Sequence, residues 1–157
     1  MSITAQTQAI NDFWVAARLH VDDLPLEPAE AWAFGATPEH ADQLLALVLD
    51  GTKTGTAAAL WDHEATGERV PEAGDLSIIL DGSELPRALI RTTSIRIVPF
   101  DQVDAEHAHA EGEGDRTLTA WREIHEHFWR TYGESGRGFA PDMPVICERF
   151  ELLWADT

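Results

Sequence analysis

Between Pro86 and Pro99 the chain runs RALIRTTSIRIV, closed by a proline at each end. β-Branched residues at this density favour an extended chain, and proline is tolerated at strand ends, so the segment reads as one long strand. Gly74-Asp75 is a turn that leads into Leu76–Leu80 (LSIIL), an apolar run of the buried-strand type ended by Asp81-Gly82. Pro144–Leu153 reads as a last strand, and Ala31–Gly35 as a short aromatic extended segment. Helical periodicity surrounds these strands. Ala5–His20 places Ile10, Phe13, Trp14, Ala17 and Leu19 near helical spacing. Thr37-Pro38-Glu39 combines a capping hydroxyl, a proline at the first helical position and an acid near the dipole. Ala41, Leu44, Leu45, Val48 and Leu49 then form one apolar face before Gly51 stops the helix. Asp101–Glu111 and Thr117–Tyr132 are helical, separated by a turn at Gly112–Asp115, and the second aligns Trp121, Ile124, His125, Phe128 and Trp129. Val21–Glu30, with Pro25 and Pro28, is a connector, and Thr131–Asp142 is a Gly-rich loop. Strands lie among helices without βαβ alternation, which predicts an α+β fold. The 157 residues fit one structural unit without repeats.

Charge limits the partners. With 28 acidic against 11 basic side chains the formal charge is −17. That opposes non-specific binding to nucleic acid, which needs clustered Lys and Arg, and leaves room only for a small basic pocket. A single cysteine, Cys147, excludes an intramolecular disulfide and suits a reducing compartment. No stretch resembles a signal peptide or a membrane helix, so the expected location is cytoplasmic.

The one lysine of the chain, Lys53, sits in Gly51-Thr52-Lys53-Thr54-Gly55-Thr56 directly after a helix. Glycines allow tight turns, and successive N–H groups can form an anion-holding nest. A lysine there can hold a phosphate or carboxylate, or, desolvated, act as a base toward a neighbouring hydroxyl. The bland interpretation is a helix cap whose lysine faces water. The loop is not a Walker A motif, since a helix rather than a strand precedes it and the glycine spacing is wrong.

Several motifs in order change that balance. Trp32-x-Phe34-Gly35, Lys53-Thr54-Gly55-Thr56, Gly74-Asp75, Ile90-Arg91-Thr92-Thr93, His107-Ala108-x-x-Glu111, Glu111-Gly112-Glu113-Gly114-Asp115 and Cys147-Glu148-Arg149-Phe150 together resemble the ASCH family, and its bacterial branch of about this length most closely. The resemblance implies a PUA-like small β-barrel flanked by helices, with residues 31–157 as that domain and residues 1–30 as an added helix and connector. It also implies RNA- or nucleoside-related work. Some relatives act as ribonucleases, and a smaller one is an amidohydrolase that removes acetyl from N4-acetylcytidine. Carried over by motif, that relative's working residues become Lys53, Thr56 and Glu111, with Trp32, Thr54, Gly55, Arg91 and His107 as substrate-binding candidates. Lys53 would take a proton from Thr56, whose oxygen attacks the amide carbonyl. Glu111 would orient Lys53 or shuttle a proton, and N–H groups around Gly55 would stabilise the oxyanion.

Other side chains are weighed individually. Arg91 falls on a largely apolar face of its strand, where it either meets an acid in the core or binds a ligand. His107 lines the cleft or is structural, and Trp32 can stack on a base. His107 and His109, like His125 and His127, stand at i,i+2 and diverge by about 200° on a helix, so no metal is expected from them. His125 reads as a packed, hydrogen-bonded residue. Glu113 and Asp115 are assigned structural roles, and Cys147 a buried one. The expected function is therefore a small hydrolase deacylating a modified nucleoside, without metal or cofactor. The alternatives are a ribonuclease, or a non-catalytic module binding a nucleoside or single-stranded RNA. The amphipathic first helix allows a homodimer.

Overall fold

The computed structural model of the chain describes residues 2–156. Among these residues the elements are α1 (Ile3–His20), β1 (Glu30–Trp32), α2 (Pro38–Leu49), β2 (Gly55–Ala59), α3 (Leu60–Thr66), β3 (Leu76–Leu80), β4 (Pro86–Pro99), α4 (Ala105–Glu111), α5 (Leu118–Tyr132) and β5 (Pro144–Ala155). The architecture is α+β, with strands hydrogen-bonded in the order β1-β3-β4-β5-β2. No helix of the described residues is long and apolar enough to cross a membrane.

The chain separates into two compact units. One gathers the chain up to Gly51, Gly74–Arg91 and the chain from Glu151; the other gathers Thr52–Ala73 and Thr92–Phe150. In the first, β1 pairs parallel to β3 (Ala31 beside Ile78), and β3 pairs antiparallel to β4 (Ile78 beside Leu89), with a bulge at Ile79/Leu80. Phe13, Trp14 and Ala17 of α1 cover these strands with Leu24, Ile78, Leu80 and Leu89. Each large apolar side chain buried this way contributes about 1.5–3 kcal/mol. The Trp14 indole N–H donates to the Pro25 carbonyl at 3.0 Å, which satisfies the one polar atom it would otherwise bury unmatched. Helix α2 starts as its sequence predicts: the Thr37 hydroxyl accepts from the His40 N–H at 3.1 Å, and Ala41, Leu44, Leu45 and Val48 are buried.

In the second unit, β2 pairs antiparallel to β5, with Gly55 opposite Arg149 and Ala57 opposite Cys147. Neither β2 nor α3 was expected. The GTAAA strand has little β-branched character, and α3 has no side-chain cap and is too short to show a period. The Asp101–Glu111 helix is also shorter than expected. A 3-10 turn covers Phe100–Gln102, and Asp104 caps α4 by accepting the His107 N–H at 2.9 Å. Helix α5 buries Trp121, His125 and Trp129 one turn apart. Its tryptophans meet Phe100, with ring centroids 5.4 Å from Trp121 and 6.0 Å from Trp129, over Met143, Val145 and Cys147.

Candidate active site around the buried lysine

The Lys53 segment is held by backbone on two sides. The Thr54 N–H donates to the Ala110 carbonyl at 2.7 Å, and the Thr54 carbonyl accepts the Phe150 N–H at 3.0 Å. Gly112, which ends α4, has φ +76°, and a Cβ there would lie 2.9 Å from Thr52 Cγ2 and 3.0 Å from the Thr52 carbonyl oxygen. Only glycine meets both the left-handed backbone and that close approach. Arg116 adds a clamp, donating from Nε to the His109 carbonyl (3.0 Å) and from Nη2 to the Thr52 carbonyl (3.3 Å). A cation suits the His109 carbonyl, which lies in the last turn of α4.

The turn at Gly112 also brings the carboxylates on either side of it to the same lysine. Lys53 Nζ lies 3.6 Å from Glu111 Oε1 and 3.7 Å from Glu113 Oε2, and it donates to the Glu111 carbonyl at 3.4 Å. Lys53 is only 2% exposed. The water-facing interpretation of this lysine is excluded: an ammonium so buried persists because it is paired.

Glu111 is the hub of the cluster. Its Oε2 accepts from the Trp121 indole N–H (2.6 Å) and from His107 Nε2 (2.7 Å), and its Oε1 from His125 Nε2 (3.2 Å). Burial by itself would raise this carboxyl, but His125, Lys53 and the two histidine hydrogen bonds outweigh it and hold the group well below the ordinary carboxylate range. Being ionised, Glu111 can only accept, so both Nε2 atoms carry their hydrogens. His125 Nδ1 meets the Trp121 carbonyl at 2.8 Å, another pure acceptor. His125 therefore bears two N–H bonds and is an imidazolium. Desolvation opposes that charge, yet Glu111 and then Glu113 raise its pKa above the usual value. Its ring stacks on Trp121 with centroids 4.3 Å apart, a cation–π arrangement. Glu113 goes the other way: desolvation raises its carboxyl, only partly offset by Lys53 and His125.

Among the described residues, Glu111, Glu113 and His125 offer three ligand atoms within 4.8 Å of one another. A metal there would need His125 to give up its Nε2 proton. In the present arrangement Lys53 and His125 supply the cations that balance the carboxylates.

Of the residues expected from the sequence, Lys53, Glu111 and His107 converge in this cluster. Thr56 lies on β2 opposite Glu148 and is partly exposed; the buried Glu148 accepts the Thr92 hydroxyl at 2.8 Å. Thr54 is exposed, and its N–H donates to the Ala110 carbonyl. Gly55 is buried, and a Cβ on it would stand 3.1 Å from the Glu148 carbonyl oxygen. Trp32 and Arg91 belong to the first unit. Trp32 packs edge-on against Phe34 with centroids 4.8 Å apart. Arg91 is not in an apolar core: its half-exposed guanidinium pairs with Glu151 at 3.3 Å. Sequence reasoning missed Glu113, His125, Trp121 and Arg116 as members of the site. The readable signal was the i,i+4 spacing of His107 and Glu111, which puts both on one helix face.

The ASCH domain family model matches residues 30–154. The crystal structure of protein EF3133 from Enterococcus faecalis V583, assigned to the DUF984 family, superposes with a TM-score of 0.85 at 33% identity, covering 95% of this chain and 90% of that one. The ASCH domain from Lactobacillus crispatus JV V101 superposes with a TM-score of 0.79 at 24% identity, covering 97% and 96%. No curated protein matches the sequence.

Proposed function

The chain belongs to the ASCH domain family, and on that premise we propose that it is a hydrolase removing the acyl group from the exocyclic amine of a modified nucleoside, N4-acetylcytidine being the representative substrate. The observation that carries the proposal is the buried Lys53 set between a carboxylate held ionised, Glu111, and a carboxyl with raised proton affinity, Glu113. Amide cleavage needs a group that takes a proton from the nucleophile and returns it to the leaving nitrogen. Lys53 passes a proton to Glu113, and the amine so formed takes the Thr56 hydroxyl proton as Oγ attacks the acyl carbon. The C–N bond breaks, and Lys53 returns the proton to the departing amine. Water then cleaves the threonyl ester, its proton regenerating the hydroxyl as the acid leaves, and Glu113 returns its proton to Lys53. Glu111, locked by His107, His125 and Trp121, keeps Lys53 in position throughout.

A neutral nucleoside also suits the −17 charge better than a polyanion does. The test is chromatographic release of cytidine and acetate from N4-acetylcytidine by purified protein in the presence of chelator. Deacylation that barely changes with added salt supports the proposal. Inert N4-acetylcytidine together with cleavage of structured RNA would replace it with the ribonuclease, and salt-sensitive RNA binding without turnover with the binding module.

A further inference from the structure

Within the second unit, α3, the end of α5 and the glycine-rich turn after it enclose a cavity of about 200 Å³, whose walls include Trp61, Asp62, Trp129, Ser135 and Met143. Drug-sized ligands occupy upwards of about 300 Å³, so this space fits one small group. Trp61 already holds a cation. The guanidinium carbon of Arg137 lies 3.9 Å from its ring centroid, a cation–π contact. Arg137 is itself exposed and stands between Gly136 and Gly138, where a Cβ added to either glycine would meet nothing within 4 Å. Nothing packs this short stretch down, so Arg137 can exchange the ring for water.

Asp62 supplies a counter-charge beside that ring. It is half-buried, and its Oδ1 accepts the Glu134 N–H at 2.9 Å, a neutral donor. Among the described residues no cation pairs with this carboxylate. Arg130 shares the wall but is held elsewhere: its Nε pairs with Glu126 at 2.9 Å, and its guanidinium lies over Phe139, 4.8 Å from the ring centroid. A carboxylate next to an indole face is a donor set for a planar cation. Guanidinium stacks on aromatic rings, donates to carboxylates and sheds water more readily than an ammonium does. The formal charge of −17 favours the approach of any cation.

We propose that this cavity is a binding site for a guanidinium group, which takes the place of Arg137 over Trp61 and donates to the Asp62 carboxylate. Arg137 is then a self-occupant that an incoming ligand must displace, and it lowers the apparent affinity by the fraction of time it covers the ring. The inference stands apart from the deacylase reading, because none of these residues belongs to the Lys53 cluster and binding is measured without turnover.

The experiment follows the tryptophan indole N–H signals of the full-length, ¹⁵N-labelled protein by NMR at neutral pH, with the Trp61 signal identified by its loss in Trp61→Phe. Methylguanidinium, agmatine, N-acetylargininamide and methylurea, the uncharged planar isostere, are titrated separately. The expected result is a saturable Trp61 shift with the three guanidinium compounds and none with methylurea. Asp62→Asn keeps an oxygen for the Glu134 N–H and should weaken methylguanidinium binding about tenfold, which corresponds to ~1.4 kcal/mol. Arg137→Gln removes the self-occupant from an exposed position and should tighten binding several-fold, the opposite sign to a residue that merely supports the fold. Tighter binding of agmatine than of N-acetylargininamide assigns the site to a free small amine, and the reverse or equality to an arginine side chain of another protein. No saturable Trp61 shift at millimolar methylguanidinium, equal binding of methylurea, or unchanged affinity in both Asp62→Asn and Arg137→Gln would overturn the proposal.

Discussion

Replacing Glu111 with glutamine keeps the shape of the side chain and removes its charge. Three donors converge on the two carboxylate oxygens, the Trp121 indole, His107 and His125, and the Lys53 ammonium pairs with Oε1 at 3.6 Å. Glutamine has one carbonyl oxygen and an NH₂ group, so one oxygen that now accepts becomes a donor facing donors. The side chains of Lys53 and Glu111 are each 1% exposed, so the charges of Lys53 and His125 cannot recover by turning to water. Removing one partner of a buried ion pair costs about 3–5 kcal/mol. At about 2–4 °C per kcal/mol for a protein of this size, the melting temperature should fall by roughly 6–20 °C. Glu113→Gln is the internal control. That carboxyl already has a raised pKa, so a neutral amide replaces a charge that the site disfavours, and the change should stay within about 1 kcal/mol. Circular-dichroism melts at neutral pH decide the matter. An Glu111→Gln variant no less stable than Glu113→Gln would refute the hub.

Gly112→Ala should cost about 1–2 kcal/mol from the left-handed backbone and displace Thr52, lowering both the melting temperature and deacylation; unchanged melts would show that the turn tolerates a Cβ. The folded pKa of His125 lies above its usual 6.5, so its contribution is complete below that pH and lost as pH rises through the folded value. Glu113, also raised, acts in the same direction from about pH 4.5 upward, whereas the depressed Glu111 contributes above about 4.5 and loses its contribution as pH falls through its folded value. Melts across pH should therefore decline on the alkaline side, and His125→Gln should flatten that decline. Burial pushes the Cys147 thiol up to about 12, so thiol reagents at pH 8 should leave the folded protein unmodified and label one site after denaturation.

Much of the fold was legible because local chemistry and tertiary packing agree. Thr37-Pro38-Glu39 caps α2 as such a sequence must, and LSIIL and the proline-bounded run are β3 and β4 with the expected limits. β2 and α3 were not legible, since GTAAA becomes a strand only because β5 lies beside it. The site divides along the same line. Lys53 and Glu111 emerged from an ordered resemblance. Glu113 and His125 did not, because an acidic Gly-rich turn and a helix-face histidine are commonly structural. Only the turn at Gly112 and the packing of α5 reveal that Glu113 meets Lys53 and that His125 meets the same carboxylates.

The most direct test of the account is the initial rate of cytidine release from N4-acetylcytidine by the wild-type protein beside Lys53→Met, a variant that keeps the apolar stem and lacks the amine. The account predicts turnover by the wild type, with chelator present, and a loss of at least about a hundredfold in the variant, the scale of a lost acid–base group. Equal rates from the two proteins would contradict it and remove Lys53 from the chemistry.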